Sequence, residues 1–410
     1  MSPTESHPVP PERYAFLDAL RGFAIIWALG LAEVLNGIVC LGNAESRPWR
    51  PFFWIPGQLK HEAWDGFQFF DLIFPLILFL TGISIVSAIP RWKKQGGALA
   101  VYRRVVKRGL LLFALGVIYY GGVRGGWEES RWVGVLQRVG LVYLVSALLF
   151  YHFRPRILIG MTGGLLLGYW AVMALVPIPA LALDSNTVHD AMAEYGVDTV
   201  RETLAKTVEH VRGHYEPGLN VAHYVDALYL PGHRYGGYWD PEGMLGTLPA
   251  IATCMMGVLA GIFLQRTDLS TTQKVRKLMI GGILLAGVGW GWGLVFPVIK
   301  LLWTSSFVLV AAGYSCLLLA FFLWQVEIKR REKWFAPLVW VGSNALLLYL
   351  AAKLVGFGKL AERILSSNET HWLDAHSMAG VGTLAVALVT FALMLGLAHF
   401  LFRRRVFVRL

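Results

Sequence analysis

The stretch from His61 to Pro75 reads HEAWDGFQFFDLIFP and places a histidine just before an apolar run that contains a carboxylate, Asp71. The run continues from Leu76 to Ile89 with only three hydroxyl side chains as polar interruptions. An apolar segment of this length predicts a membrane-spanning helix, with Asp71 in its first turns. Ionisable groups inside hydrocarbon are costly and usually functional, so this stretch indicates a site. The alternative is an acid that only caps or pairs structurally.

The composition is typical of a polytopic membrane protein. Mean hydropathy is +0.54, and 56% of the residues are hydrophobic while only 15% are charged. The formal net charge of +11 would suit nucleic acid, but the basic residues fall mostly in short loops between apolar segments. Membrane topology therefore explains the charge, and no nucleic-acid partner is expected.

The apolar segments predict an all-α fold, a polytopic membrane helical bundle of about ten transmembrane helices. Residues 1–13 are Pro-rich and polar, and are predicted to be a disordered cytoplasmic N-terminus. Residues 14–410 then form a single transmembrane domain with one long external loop at 177–245. The predicted spans are 17–39, 67–89, 105–121, 133–151, 157–176, 246–264, 278–296, 304–324, 336–355 and 377–401.

Basic residues alternate between successive loops, and this alternation predicts the orientation. Lys and Arg concentrate after the second, fourth, sixth, eighth and last spans, as in the run from Arg91 to Lys94. The 177–245 loop instead carries six carboxylates in its first half. By the positive-inside rule both termini lie in the cytoplasm, and the His61 loop and residues 177–245 lie outside.

Several polar side chains share the predicted outer depth of the bundle. Glu33 lies about 22 Å beyond Asp18 along the first span, and Arg138 lies in the outer third of the fourth. An intramembrane arginine needs a counter-charge, which Glu33 or Asp71 could supply at this depth; purely structural ion pairing is the alternative. The set at this depth is Glu33, His61, Asp71, Gln137, Arg138, Asp240, Glu242 and Lys300.

A second set of charged residues forms a basic collar at the predicted cytoplasmic face. Such collars often only set topology and contact lipid head groups, and the alternative is binding of an anionic phosphate ligand. The collar consists of Arg21, Arg103, Arg104, Lys107 and Arg108.

Six short motifs occur along the chain in the order of a known family. With them the sequence resembles the transmembrane acyltransferases related to heparan-alpha-glucosaminide N-acetyltransferase, and most of all the bacterial members. The motifs are LDALRG at 17–22, HEAWDG at 61–66 with DLIFP at 71–75, LQRVG at 136–140, DPEGMLGT at 240–247, KLLWTSS at 300–306 and GSN at 342–344.

The resemblance implies acetyl-CoA as the cytoplasmic donor and an amino sugar or glycan as the acceptor, on the periplasmic side of a bacterial inner membrane. It implies that His61 is catalytic, either as a general base or as the acyl acceptor of a two-step route. Glu33 or Asp71 would orient the imidazole, and Arg138 or Asn344 would stabilise the developing oxyanion.

The remaining implied roles concern binding. The basic collar would hold the CoA phosphates, while the pantetheine arm reaches outward through the bundle. No metal is predicted, membrane lipid is an expected partner, and a homodimer is left open. The residues expected to contact the acceptor are Trp64, Asp65, Gln137, Asp240, Glu242 and Lys300.

Two departures from the family leave the acceptor open. The lysosomal branch has an asparagine near the outer end of the first span, where this chain has Ala32 and Glu33. Lys300 stands where many relatives have asparagine. A sugar O-acyltransferase is therefore an alternative, and a transporter or flippase that uses the buried charges for coupling is the main rival.

Overall fold

The computed structural model describes residues 15–41 and 54–407. The predicted disordered N-terminus, 1–13, lies outside the described residues. Within the described part, seven helices are long and apolar enough to cross a membrane, or up to eight if the bent pair Glu332–Ser343 and Ala345–Ile364 counts as one span. The chain is thus a mostly helical, multi-pass membrane protein, and the count of ten spans stays a prediction.

The described helices and strands follow one another in this order. They are α1 (Ala15–Ile26), α2 (Ala32–Val39), α3 (Ile55–Gln58), α4 (Ile73–Tyr119), α5 (Val135–His152), α6 (Pro155–Leu175), β1 (Ile178–Pro179), α7 (Ser185–Tyr195), α8 (Val200–Lys206), β2 (His210–Val211), α9 (Val221–Tyr229), α10 (Thr247–Leu264), α11 (Thr271–Gly293), α12 (Ser305–Leu323), α13 (Ala336–Ser343), α14 (Ala345–Ala351), α15 (Phe357–Ile364), α16 (Ser367–His376) and α17 (Val381–Arg403).

Two helices explain most of the difference in span count. The candidate span Phe69–Tyr119 has 51 residues, about 75 Å of helix, which is more than twice the hydrocarbon thickness of a bilayer. It overlaps both predicted spans, 67–89 and 105–121, and has a break between them at Gly96 and Gly97, where Gly97 has a φ of 65°. The helix α11 is 23 residues long and matches the predicted span 278–296, but it is not among the seven.

The described chain divides into two compact units. One combines residues up to Gly37 with those from Leu318 onward, and the other runs from Ile38 to Leu317. In the first unit, a Cβ added at Gly22 would lie 1.8 Å from the carbonyl oxygen of Leu338. Glycine is therefore required where α1 and α13 touch.

The second unit is built around α4 and α10, which also approach each other through glycines. A Cβ at Gly82 would lie 2.0 Å from the carbonyl oxygen of Cys254, and one at Gly257 would lie 1.9 Å from that of Phe79. Any side chain at these positions would push the helices apart. This contact fixes the part of α4 that follows Asp71.

The long segment at 177–245 is folded, with β1 paired antiparallel to β2 and three short helices. Each of these helices has a polar N-cap: the side chains of Asp184, Thr199 and Asn220 accept hydrogen bonds from backbone N–H groups of α7, α8 and α9. Its buried apolar cluster includes Phe296 and Ile299, which precede α12. The segment therefore supports the loop between α11 and α12.

Candidate active site

His61 lies on a loop between α3 and a 3₁₀ turn, Phe69–Leu72, and distant parts of the chain fix this loop. The backbone N–H of Gly66 donates to the carbonyl of Val298 at 2.9 Å, and the Trp64 indole donates to the carbonyl of Tyr215 at 2.9 Å. Gly66 has a φ of 135°, which favours glycine. The loop is thus tied both to the segment before α12 and to the 177–245 segment.

Asp71 is held by the turn that it caps. Its Oδ2 accepts hydrogen bonds from the backbone N–H groups of Gln68, at 3.0 Å, and Glu62, at 3.1 Å. The side chain is completely buried. These two hydrogen bonds from backbone N–H groups offset the free-energy cost of burying the negative charge of Asp71. Oδ1 is left to contact side chains.

Two side chains meet at Asp71 Oδ1. The Nδ1 atom of His61 lies 2.9 Å away, and the Nζ atom of Lys300 lies 3.3 Å away. Lys300 Nζ is also 2.7 Å from His61 Nδ1 and 3.2 Å from Nε2. The His61 side chain is 53% exposed, whereas that of Lys300 is 15% exposed. Three residues predicted to share one depth therefore meet in one cluster.

The distances around the imidazole limit where its proton can be. Nδ1 cannot donate a proton to Asp71 and at the same time accept one from Lys300. With the proton on Nδ1 and donated to Asp71, Nε2 keeps its lone pair, and this is the form of the ring that can act as a base or a nucleophile. In this tautomer Nδ1 has no lone pair, so its 2.7 Å contact with Lys300 Nζ is not a hydrogen bond. Lys300 can donate to Nε2 at 3.2 Å, and it must release Nε2 before that nitrogen acts as a base or a nucleophile.

Lys300 is an ammonium group in a poorly hydrated place. Burial lowers the pKa of Lys300, while the charges of Asp71 and Glu242 act in the opposite direction. Because Glu242 acts on Lys300, this carboxylate connects the His61 cluster electrostatically to a second group of charges.

That second group consists of Arg131, Asp240 and Glu242. Arg131 donates from Nε and Nη2 to the two oxygens of Asp240, at 3.0 and 2.8 Å, and from Nη2 to Glu242 at 2.9 Å. Burial alone would lower the pKa of Arg131, but Asp240 and Glu242 outweigh it and raise this pKa. Sequence analysis missed Arg131. The predicted topology offered one signal, because it puts Arg131 on the same side as both carboxylates.

Arg138 is almost fully buried, with 3% of its surface exposed. Its Nη2 donates to the carbonyl of Gly243 at 3.2 Å, its guanidinium lies 5.1 Å from the Trp303 ring, and Nε and Nη1 have no hydrogen-bond partner among the described residues. Asp71, one of its two predicted counter-charges, contacts His61 and Lys300 instead. The carboxylates that act on Arg138 are Glu242, Asp226 and Asp240. Asp71 is therefore not its partner, because rotation about the helix axes, which depth does not specify, favours other carboxylates.

Asp226, on α9, is a further residue that sequence analysis missed. Its carboxylate accepts hydrogen bonds from the backbone N–H groups of Met244, at 2.9 Å, and Asp240, at 3.3 Å. Burial raises the pKa of Asp226 to about 6. Asp226 and Arg138 thus hold the turn that carries Glu242 from two sides.

Trp64 anchors the His61 loop in an aromatic cluster. His223 stacks on Trp239 with ring centroids 4.0 Å apart, and the Trp64 ring meets His223 edge-on at 5.8 Å. Burial lowers the pKa of His223 to about 3, so this imidazole stays neutral. Its Nδ1 accepts a hydrogen bond from the backbone of Gly218. His223 therefore supports the loop, while the half-exposed His61 is the histidine available for chemistry.

The remaining predicted residues are distributed differently. Arg103, Arg104 and Lys107 are exposed on α4, whereas the Arg108 guanidinium lies 4.6 Å from the Tyr143 ring of α5. The Gln137 amide donates to the carbonyl of Arg131, and the Asp65 side chain is exposed. The collar residues of α4 thus do not all point the same way.

Three predicted residues belong to the first unit. There Arg21 donates to Asp18 at 2.8 Å, the Asn344 amide donates to the carbonyl of Val406 at 2.9 Å, and Glu33 is exposed beside a cavity of about 920 Å³. Their catalytic or donor-binding roles stay predictions.

The fold and this cluster define a class: a multi-pass helical membrane protein with a histidine, a carboxylate and a lysine in contact at the N-terminal end of an apolar helix. The chain is 24% identical over 440 residues to human heparan-alpha-glucosaminide N-acetyltransferase, covering 97% of this chain and 60% of the relative. It is 26% identical over 372 residues to the mouse protein of the same name, covering 80% of this chain and 52% of the relative. No family model matches.

These similarities confirm the resemblance to a related acyltransferase family. The chain spans between 52 and 60% of the length of these two curated relatives.

Proposed function

We propose that this protein is a transmembrane acetyltransferase that moves an acyl group from cytoplasmic acetyl-CoA to an amino sugar or glycan on the periplasmic side of a bacterial inner membrane. One observation carries the proposal: the half-exposed His61 is bonded through Nδ1 to the buried Asp71, in a chain similar along most of its length to two N-acetyltransferases. A buried carboxylate that accepts the Nδ1 proton leaves the lone pair of the imidazole on Nε2, where it can take up a proton once Lys300 does not donate to it.

In the direct route His61 acts as a general base. The acceptor gives its proton to Nε2 while its nucleophilic atom forms a bond to the thioester carbonyl carbon. The carbon–sulfur bond then breaks, and the proton on Nε2 passes to the departing CoA thiolate. Asp71 favours the transient imidazolium because its carboxylate lies 2.9 Å from Nδ1.

In the two-step route Nε2 itself attacks the thioester. The products of the first step are an acyl-imidazole and CoA, and the acceptor then takes the acyl group from His61. Both routes develop negative charge on the thioester oxygen. Lys300 is better situated than Arg138 to stabilise it, since its ammonium contacts both nitrogens of the His61 ring.

Donor binding and transfer test the proposal. Purified protein in proteoliposomes is supplied with labelled acetyl-CoA, and a mixture of small glycans is added to the opposite side. We expect saturable acetyl-CoA binding, CoA release and label on a glycan. Movement of glycan across the bilayer without acyl transfer would favour the transporter alternative. Reporter fusions after Lys94, His210 and Arg331 test sidedness, with inside, outside and inside expected.

A further inference from the structure

We propose that Lys300 makes the site selective for an uncharged acceptor nucleophile, a glycan hydroxyl rather than a glycan ammonium group. The inference rests on the proposed function and narrows its acceptor. An ammonium acceptor would need a place beside both the imidazole and the carboxylate that orients it. Lys300 already occupies that place, with Nζ 3.2 Å from His61 Nε2 and 3.3 Å from Asp71 Oδ1.

The buried carboxylates near His61 are already paired with cations of the protein. Asp71 pairs with Lys300, and Arg131 is shared between Asp240, at 2.8 Å, and Glu242, at 2.9 Å. Burial makes both pairs sensitive to an added charge, because desolvated charges are poorly screened. A second ammonium placed against His61 would therefore lie beside Lys300, and the buried carboxylates that the structure describes nearby are already engaged by Lys300 and Arg131.

Two other carboxylates of the His61 loop form no ion pair with any described residue. Glu62 is half-buried and accepts a hydrogen bond from the neutral Gln68 amide at 2.7 Å, which leaves its charge in place. Asp65 is exposed, so water and salt weaken its attraction for a cation. Asp65 is the more accessible of the two to an acceptor, and the experiment includes it.

The chemistry also favours a neutral nucleophile. A hydroxyl oxygen has a lone pair and can attack the thioester carbonyl while its proton moves to Nε2. The carbon–oxygen bond forms, the carbon–sulfur bond breaks, and the proton ends on the CoA sulfur. An ammonium group has no lone pair and must lose one proton before it attacks and a second proton afterwards. Such an acceptor therefore sends one more proton per transfer through an imidazole in contact with Lys300 than a hydroxyl does.

A matched pair of acceptors tests the inference. Methyl glucoside and methyl glucosaminide differ at one position, which carries a hydroxyl group in the first sugar and an amino group in the second. This amino group is largely protonated at pH 6. Parent protein is incubated with acetyl-CoA and both sugars at equal concentration, and the products are resolved by mass spectrometry. We expect at least tenfold more O-acetyl than N-acetyl product. A repulsion between the two ammonium groups equivalent to one pKa unit already produces a tenfold preference. A parent that acetylates mainly the amine overturns the inference.

Variants show whether Lys300 is the cause. Lys300→Met keeps the length of the side chain and removes its charge, and we expect the product ratio to move at least tenfold toward the amine. Lys206→Met is the control, because Lys206 is exposed and its one side-chain hydrogen bond to the described part of the chain is to the carbonyl of Tyr195. An unchanged ratio in Lys300→Met contradicts the proposal, as does amine acetylation by the parent that disappears in Asp65→Asn.

Failure of the proposed function has a different signature. If the parent neither binds acetyl-CoA nor releases CoA with any acceptor, the acyltransferase assignment fails and the inference falls with it. If CoA is released and the acyl group lands on the amine, only the inference fails. Should Lys300→Met not fold, Lys300→Gln replaces it, and the product ratio of the parent still decides.

Discussion

Two ion clusters of the second unit have nearly the same construction and differ in one respect. Asp71 and Asp240 are both completely buried, and each accepts hydrogen bonds from two backbone N–H groups. Asp71 then meets an imidazole and an ammonium, whereas Asp240 meets a guanidinium. Arginine never releases its proton in a protein, while histidine and lysine exchange theirs. Burial and charge are therefore alike in the two clusters, and the titratable partner distinguishes the cluster that we propose to be reactive from the other.

Replacing His61, the titratable partner of Asp71, should give the largest effect, a loss of transfer rate. We expect His61→Ala to lose roughly 10²–10⁴-fold in transfer rate if His61 is a general base, and more if it carries the acyl group. Acetyl-CoA affinity, measured by equilibrium binding, should remain. His214→Ala is the control, since His214 is exposed and, among the described residues, forms an ion pair only with Glu216. Turnover of His61→Ala at the parent rate would falsify the reactive assignment.

Changes in the cluster of Arg131, Asp240 and Glu242 should instead affect the stability of the fold. Arg131→Ala leaves Asp240 and Glu242 buried without their cation, and removing one partner of a buried pair typically costs about 3–5 kcal/mol. We expect a clear fall in melting temperature. Arg131→Lys should recover only part of it, because lysine cannot bond both oxygens of Asp240 as the guanidinium does. The exposed Arg124 serves as a control in Arg124→Ala. A variant that melts like the parent would remove the structural role.

A smaller, pH-dependent effect should come from Asp226, which supports the turn between the clusters. Its pKa is about 6 in the folded state, against 3.8 for the free side chain. The folded protein then binds more protons between these values, so its contribution to the free energy of unfolding falls by about 3 kcal/mol as pH rises from about 4 to 6. We expect Asp226→Asn to lose this decline when melting is compared at pH 4.5 and 6.5.

Asp184 gives the opposite sign and serves as a control. Hydrogen bonds from Thr187 lower its pKa, so its stabilisation is present above the pKa of the unfolded chain and disappears as pH falls. Asp184→Asn should therefore alter the pH slope in the other direction. The same slope in both variants would rule out titration of Asp226 as the cause.

The sequence predicts the helical membrane class because apolar length is a local property, and residues 73–89 are the clearest example. His61 and Asp71 could be paired because ten residues separate them and both precede one helix. Lys300 could be placed at their depth from the topology alone. The partner of Arg138 could not be predicted, since depth says nothing about rotation around a helix axis. The close contact of α4 with α10 through their glycines could not be predicted either, because it depends on which faces of the two helices meet.

The contact between His61 and Lys300 can form only late in the synthesis of the chain. Their positions differ by 239 residues, which a ribosome adds in roughly 10–50 s at typical rates of synthesis. During that interval the nascent chain already contains the imidazole and its carboxylate but not the ammonium that completes the cluster. The Tyr215 carbonyl that receives the Trp64 indole also arrives late, 151 residues after Trp64. A ribosome that stalls before Tyr215 leaves a fragment in which the His61 loop lacks both its hydrogen bond to that carbonyl and its contact with Lys300, so the loop can reach the arrangement described here only after the α11–α12 connection has been made.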